Sequence, residues 1–290
     1  MSKIAMLTDV FEEVREAFNR LAPELIKLQE ALTTLKAARD KRPLEVRLRA
    51  VLRRMWREQA AALQKEFLPE LARYSENVTE ALRPLTASQL SLLLSILNVD
   101  EKDWASSMAK IIADALRAGA KRMRTEIEVD ISFNLDTTEV RQVIDERAAD
   151  LVSNINRTTR DRIRTILSEG IKNSESYSAI AKRLRDTFEA FGAPSPLRHI
   201  RDRAELIAVT EIGNAYIEGQ LRQGRRITQR GIQLQKGWLT VGDDRVEEHC
   251  LSNEKAGWID FDATFPTGHQ APLEHPGCRC SMTMRRKRTE

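Results

Sequence analysis

Glycine is spread so unevenly along these 290 residues that it divides the chain by itself. Positions 1–212 hold three glycines (Gly119, Gly170 and Gly192), whereas positions 213–290 hold nine. Glycine weakens helices and serves turns and bulges. The pattern therefore predicts a long helical body followed by a compact end that is rich in loops or contains strands. Charged residues make up 31% of the chain and aromatics 5%, a mixture suited to long, solvated, amphipathic helices. The expected fold class is mainly α: an elongated helical N-terminal body with a small C-terminal α+β domain containing a short β-sheet.

Several helices have readable ends. Asp9 and Glu12 have capping-box spacing before a stripe of Val10, Val14, Phe18 and Leu21. Leu25, Leu28, Leu32 and Leu35 form a second stripe. Pro23, Pro43, Pro69 and Pro84 are expected to divide this region into separate helical lengths, because proline is disfavoured inside a helix. Asp136 and Glu139 form another capping box. It opens a helix whose apolar face runs Val140, Ile144, Ala148, Leu151, Ile155, Thr159, Ile163 and Ile166, ending near Gly170. The next helix carries Tyr177, Ile180, Leu184, Phe188 and Phe191 and stops at the Gly192–Pro196 linker. A last long helix is expected from about His199 to Leu221, closed by Gly224. Within it, Glu211 falls in line with Ala204, Ala208 and Ala215. A carboxylate so placed calls for a partner such as arginine, or else sits exposed at the stripe edge.

Beyond Gly224 the period changes. Ile232, Leu234 and Trp238 fit one face of a strand, with Gly237 as a possible bulge. Gly242-Asp243-Asp244 is a turn that can open a short helix holding His249 and Cys250. Cys278, Cys280, Met282 and Met284 alternate with polar residues, which predicts a strand with its sulfur-bearing face inward.

All three cysteines, and three of the four histidines, lie from His249 onward. In a strand, Cys278 and Cys280 point the same way and can share one metal ion. With Cys250 and His275, or with His249 in place of one of them, they make a closed structural zinc set. Two other readings stand beside it: buried core thiols, and a zinc- or thiol-dependent hydrolase built on His249, Cys278 and Cys280. Against catalysis, there is no Gly-x-Ser-x-Gly turn, no phosphate-binding glycine loop and no deaminase signature. No catalytic residue is assigned.

No stretch approaches the ~20 apolar residues a membrane span requires, and no N-terminal segment has the form of a signal peptide. The net charge of +4 is mildly basic. Basic clusters lie at Arg47–Arg57, Arg222–Arg230 and Arg285–Arg288. The last, with Arg285, Arg286, Lys287 and Arg288, is the candidate for non-specific contact with DNA phosphates. A DNA-binding accessory factor is accordingly a third functional reading.

Residues from about 131 to 284 resemble the phage Mu F-like minor head protein family, also called phage head morphogenesis proteins. Three stretches carry the likeness. The first is the long helix followed by Tyr177–Leu184. The second is the helix through Arg203 and Ile207–Glu211. The third is Gly237-Trp238-Leu239-Thr240 leading to Asp244, Arg245 and His249, then the closing His275-Pro276-Gly277-Cys278-Arg279-Cys280. The resemblance marks Arg203, Glu211, Trp238, Asp244, Arg245 and His249 as motif positions. It implies a minor capsid protein acting beside the phage portal protein during head assembly and DNA packaging or ejection. Its other implied partners are major capsid or scaffold protein and DNA, without a membrane. The implied location is the virion head interior, and the host cytoplasm during assembly. On this reading residues 1–130 are a helical scaffold or docking region, 131–224 the helical part of the domain, and 225–290 its compact α+β end.

Overall fold

The computed structural model describes residues 3–69, 91–92, 95–96, 101–131, 134, 137–173, 175, 177–190 and 203–287. Six helices and three strands follow one another: α1 (Lys3–Ala62), α2 (Glu101–Ile127), α3 (Thr138–Lys172), α4 (Tyr177–Ala190), α5 (Arg203–Thr228), β1 (Leu234–Leu239), α6 (Glu248–Lys255), β2 (Ile259–Asp260) and β3 (Ser281–Arg286). The fold is mainly α with a small antiparallel sheet near the C-terminus, as the sequence predicts. No described helix is long and apolar enough to cross a membrane.

The expectation that Pro23 and Pro43 end helices is overturned, since both lie inside α1. Both are exposed. A proline costs its own amide donor and displaces the carbonyl four residues back. On a solvent face water satisfies that carbonyl, and the helix continues. Asp9 and Glu12 fall inside α1, which begins at Lys3, so no helix starts at Asp9. A π-helical turn, Leu63–Phe67, extends α1. Its wider pitch helps bring Leu63, Phe67 and Leu68 into one buried cluster with Ile163, Ile166 and Ile180.

The main core is a helical bundle. Leu48, Leu52 and Met55 of α1 meet Met108 and Ile112 of α2, Ala148 and Val152 of α3, and Ala208 and Ile212 of α5. The stripe predicted for α3 is buried at every position from Val140 to Ile166. On α4, Ile180 and Leu184 are buried. The side chains of Glu139, Tyr177 and Phe188, and residues Pro84, Asp136, Phe191, the 192–196 linker and His199, lie outside the description.

Gly224 does not close α5, which runs on to Thr228. Gly213, Gly219 and Gly224 are all helical, so these glycines serve packing and not turns. A Cβ on Gly219 would lie 2.1 Å from the Leu116 carbonyl oxygen, and one on Gly119 would lie 1.9 Å from that of Tyr216. The two glycines face each other's helices, so α2 and α5 touch backbone to backbone. This close crossing carries the sheet, because α5 leads directly into β1.

The sheet order is β2-β1-β3, antiparallel throughout. β1 and β3 pair residue for residue from Leu234–Arg286 to Leu239–Ser281. Gly237 pairs with Thr283 in that register, so the expected bulge is absent. One face of the sheet buries Leu234, Met282 and Met284 with Met123, Tyr216 and Phe261. Gln220 and Gln223 of α5 reach over to donate to the carbonyls of Met282 and Ile131, at 3.3 and 2.8 Å.

Candidate metal centre

Cys280 leads straight into β3, and Cys278 lies one alternation before it. The period-two pattern thus holds both thiols on the inward side, upstream of Met282 and Met284 (all four 2–3% exposed). Cys250 comes from α6, whose N-terminal turn points it at the same spot. His275 enters through His275-Pro276-Gly277, a turn closed by the Cys278 amide donating to the His275 carbonyl at 3.1 Å. Gly277 has φ +78°, a conformation that favours glycine. Its amide also donates to Thr210 Oγ1 of α5 at 2.9 Å, which fastens the turn to the bundle.

The three sulfurs lie within 4.8 Å of one another. Cys250 Sγ is 3.9 Å from Cys278 Sγ and 3.8 Å from His275 Nε2. Zinc–sulfur bonds of ~2.3 Å in a tetrahedron place ligand sulfurs ~3.8 Å apart. Cys250 and Cys278 stand at that spacing with Cys280 close by, whereas His275 approaches Cys250 without joining the group of donors that all lie within 4.8 Å of one another. Cys250, His275, Cys278 and Cys280 line a cavity of about 20 Å³ together with Val241, Arg245, Val246 and Glu247, large enough for one small occupant.

Second-sphere groups favour the same arrangement. His275 Nδ1 lies 3.1 Å from the Pro276 carbonyl oxygen and 3.6 Å from a Glu247 carboxylate oxygen. Donation from Nδ1 leaves the Nε2 lone pair facing the sulfurs, the tautomer a metal ligand needs. The thiols are electrostatically unequal. A hydrogen bond from Cys280, then backbone amides, hold Cys278 down at about 5, against the opposing effect of burial. Burial and then the Cys278 charge push Cys250 up to about 12. Cys280 is raised, first by its bond to Cys278 and then by burial. The buried indole N–H of Trp238 has no hydrogen-bond partner among the described residues.

Around the thiols, Trp238 meets Phe265 edge to face at 5.2 Å between ring centroids. Both pack with the three cysteines in one apolar cluster. Trp258, by contrast, is 38% exposed. The Arg285 guanidinium stacks on it at 4.2 Å. Two polar residues that the sequence did not single out, the buried Asn253 and the half-buried Glu254, hold the loops. Asn253 donates to Thr267 Oγ1 (2.9 Å) and Glu274 Oε2 (3.1 Å) and accepts from the Thr267 amide (3.2 Å). Glu254 accepts from the Thr240 amide at 2.7 Å and from its hydroxyl at 2.9 Å.

The remaining predicted positions are scattered. His249 is exposed on α6 and does not line the cavity, so it stands apart from the thiols. Asp244 is exposed, 3.7 Å from Arg245. Asp243, next to it, takes Arg279 in a 2.7 Å ion pair that holds its carboxyl below the usual range. Glu211 has the arginine partner its position called for: Arg147 of α3, at 3.2 Å. Arg203 lies over the Trp56 ring at 5.1 Å. Of the basic cluster proposed for DNA contact, Arg285 and Arg286 belong to β3. Arg285 donates to Gln235, Arg286 to the carbonyls of Ile127 and Glu128, and Lys287 to Asp260. Arg288 lies outside the described residues.

Residues 161–283 match the family model described as Phage Mu protein F like protein. Over this stretch, under half of the chain, the sequence is similar to that family. The matched stretch begins inside α3 and ends in β3, so it takes in the whole thiol cluster and the helix that carries it. No curated protein and no solved structure matches the chain.

Proposed function

We propose that this protein is a minor head component that acts at the portal vertex during phage head assembly, and that a structural zinc ion closes its C-terminal unit. Cys250, His275, Cys278 and Cys280 would hold the ion, and it would supply cross-linking and not chemistry. The observation that carries the architectural reading is the enclosure of the donors. The three thiols are 1–3% exposed, sit beside Trp238 and Phe265, and border a cavity with room for little more than one ion. A structural site uses four protein ligands, whereas a catalytic one keeps an open position. The ion would tie together α6, the His275 turn and the start of β3, three segments joined by few backbone hydrogen bonds.

The portal assignment rests on the family and on the exposed helical surface available for docking. The proposed partners are the portal protein, with major capsid or scaffold protein next to it. The proposed setting is the head interior, reached from the host cytoplasm. Two measurements test the two halves separately. Purified protein should carry about one zinc per chain through dialysis, and Cys278→Ser or His275→Ala should lower that content; metal-free native protein would refute the zinc site. Pull-down at low salt should retain the cognate portal protein, and its failure would refute the docking role while leaving the zinc result intact.

A further inference from the structure

The exposed part of α1 carries a repeat that its own fold does not use. Leu21, Leu25, Leu28, Leu32 and Leu35 are 50–67% exposed, and they follow one another at alternating steps of four and three. That is the heptad spacing of a coiled-coil seam. In the sequence the same steps run back without a break through Phe18, Val14, Phe11 and Leu7 to Ile4. α1 is one helix over this whole stretch, so the seam is roughly 45 Å long at ~1.5 Å per residue. Continuous exposed apolar stripes are uncommon on proteins that act alone.

The seam also ends where the body of the molecule begins. Continuing the repeat would place Arg39 and Arg42 at the next two positions, and both are exposed. Ala37, on the opposite side of the helix, is 4% exposed and packs with Tyr216 and Phe261. The leucine stripe therefore faces away from the chain's own core.

We propose that this seam is a self-association surface, on which α1 of a second copy of this chain lies to form a parallel coiled coil. The flanking positions argue for a like partner. In a parallel pair they bring together Val10 with Arg15, Ala17 with Ala22, Glu24 with Gln29, and Ala31 with Lys36. No pair sets like charges opposite each other, so the sequence is compatible with itself. The small alanines let two helices approach closely. Pro23 takes the outermost position of its heptad, where it does not enter the seam.

Sedimentation equilibrium of the full chain tests this. The native protein should be a dimer or higher closed oligomer at micromolar concentration. The double variant Leu25→Glu/Leu32→Glu should weaken association by more than about 100-fold, with helicity and the unfolding midpoint of the bundle preserved. Glu30→Lys, on the outer face, should leave the mass distribution unchanged. A monomeric native chain at all concentrations would overturn the proposal and hand the stripe to another partner. So would a double variant with native mass.

Discussion

Lys236 shows how one side chain can run against the pattern that places it. Strand alternation puts it on the inward face with Leu234 and Trp238, and it is fully buried. Its ammonium lies 5.8 and 5.7 Å from the Phe261 and Phe265 rings and has no hydrogen-bond partner among the described residues. Burial pulls its pKa down to about 8 from 10.5, with Asp262 opposing and Arg225 reinforcing the shift. The unfolded chain then binds more protons than the folded one between these two values. Stability should rise as pH increases through that window, and the penalty is complete below it. Lys236→Met should therefore stabilise the protein at neutral pH by about 2 kcal/mol and flatten the difference at high pH. Parallel denaturant titrations of variant and native protein measure both effects. Asn253 is the converse case, a buried polar group with its bonds made. Asn253→Ala leaves the Thr267 amide and Glu274 without their partner and should cost about 3 kcal/mol in the same assay. Neither role was legible beforehand, because a lone lysine or asparagine reads as surface until its neighbours are known.

Among the elements, the crossing of α2 and α5 decides most. Alanine is the better helix former by ~1 kcal/mol, so Gly119→Ala or Gly219→Ala would stabilise an isolated helix. Here the added methyl meets a backbone carbonyl at 1.9 or 2.1 Å, and neither helix can yield without dragging the sheet. Each substitution should lower stability by about 2–4 kcal/mol; thermal unfolding checks the sign, and a stabilised variant would show the crossing is looser than described. The elements themselves were largely readable. The α3 stripe and the Cys278–Met284 alternation were correct because each depends only on the order of nearby side chains. The errors came from residues with two uses. Proline at positions 23 and 43 was read as a stop, and Gly224 as the end of α5. An exposed proline is carried by a helix that water can repair, and a glycine beneath a crossing helix is a contact point.

In the molecule as a whole, the thiol cluster belongs to a unit whose other face packs on the helical bundle, and with the proposed ion it would be a local staple. Removing a bound ion should loosen that unit first. After chelation, hydrogen exchange should accelerate at amides of β1, α6 and β3, while α2 and α3 keep their protection. Uniform loss of protection would mean that the staple supports the entire fold. Sequence alone determined that the chain is mostly helical, that its last segment is a strand with sulfur inward, and that Cys250, His275, Cys278 and Cys280 are the donors to watch. Each follows from periodicity or from residue types crowded within a short span. Only the tertiary structure decided that His249 stands outside the cluster and that Arg285 and Arg286 are held in a strand. The same is true of the glycines of α5, which accept another helix. Those facts depend on which distant backbone arrives at a given face, and no spacing along the chain encodes that arrival.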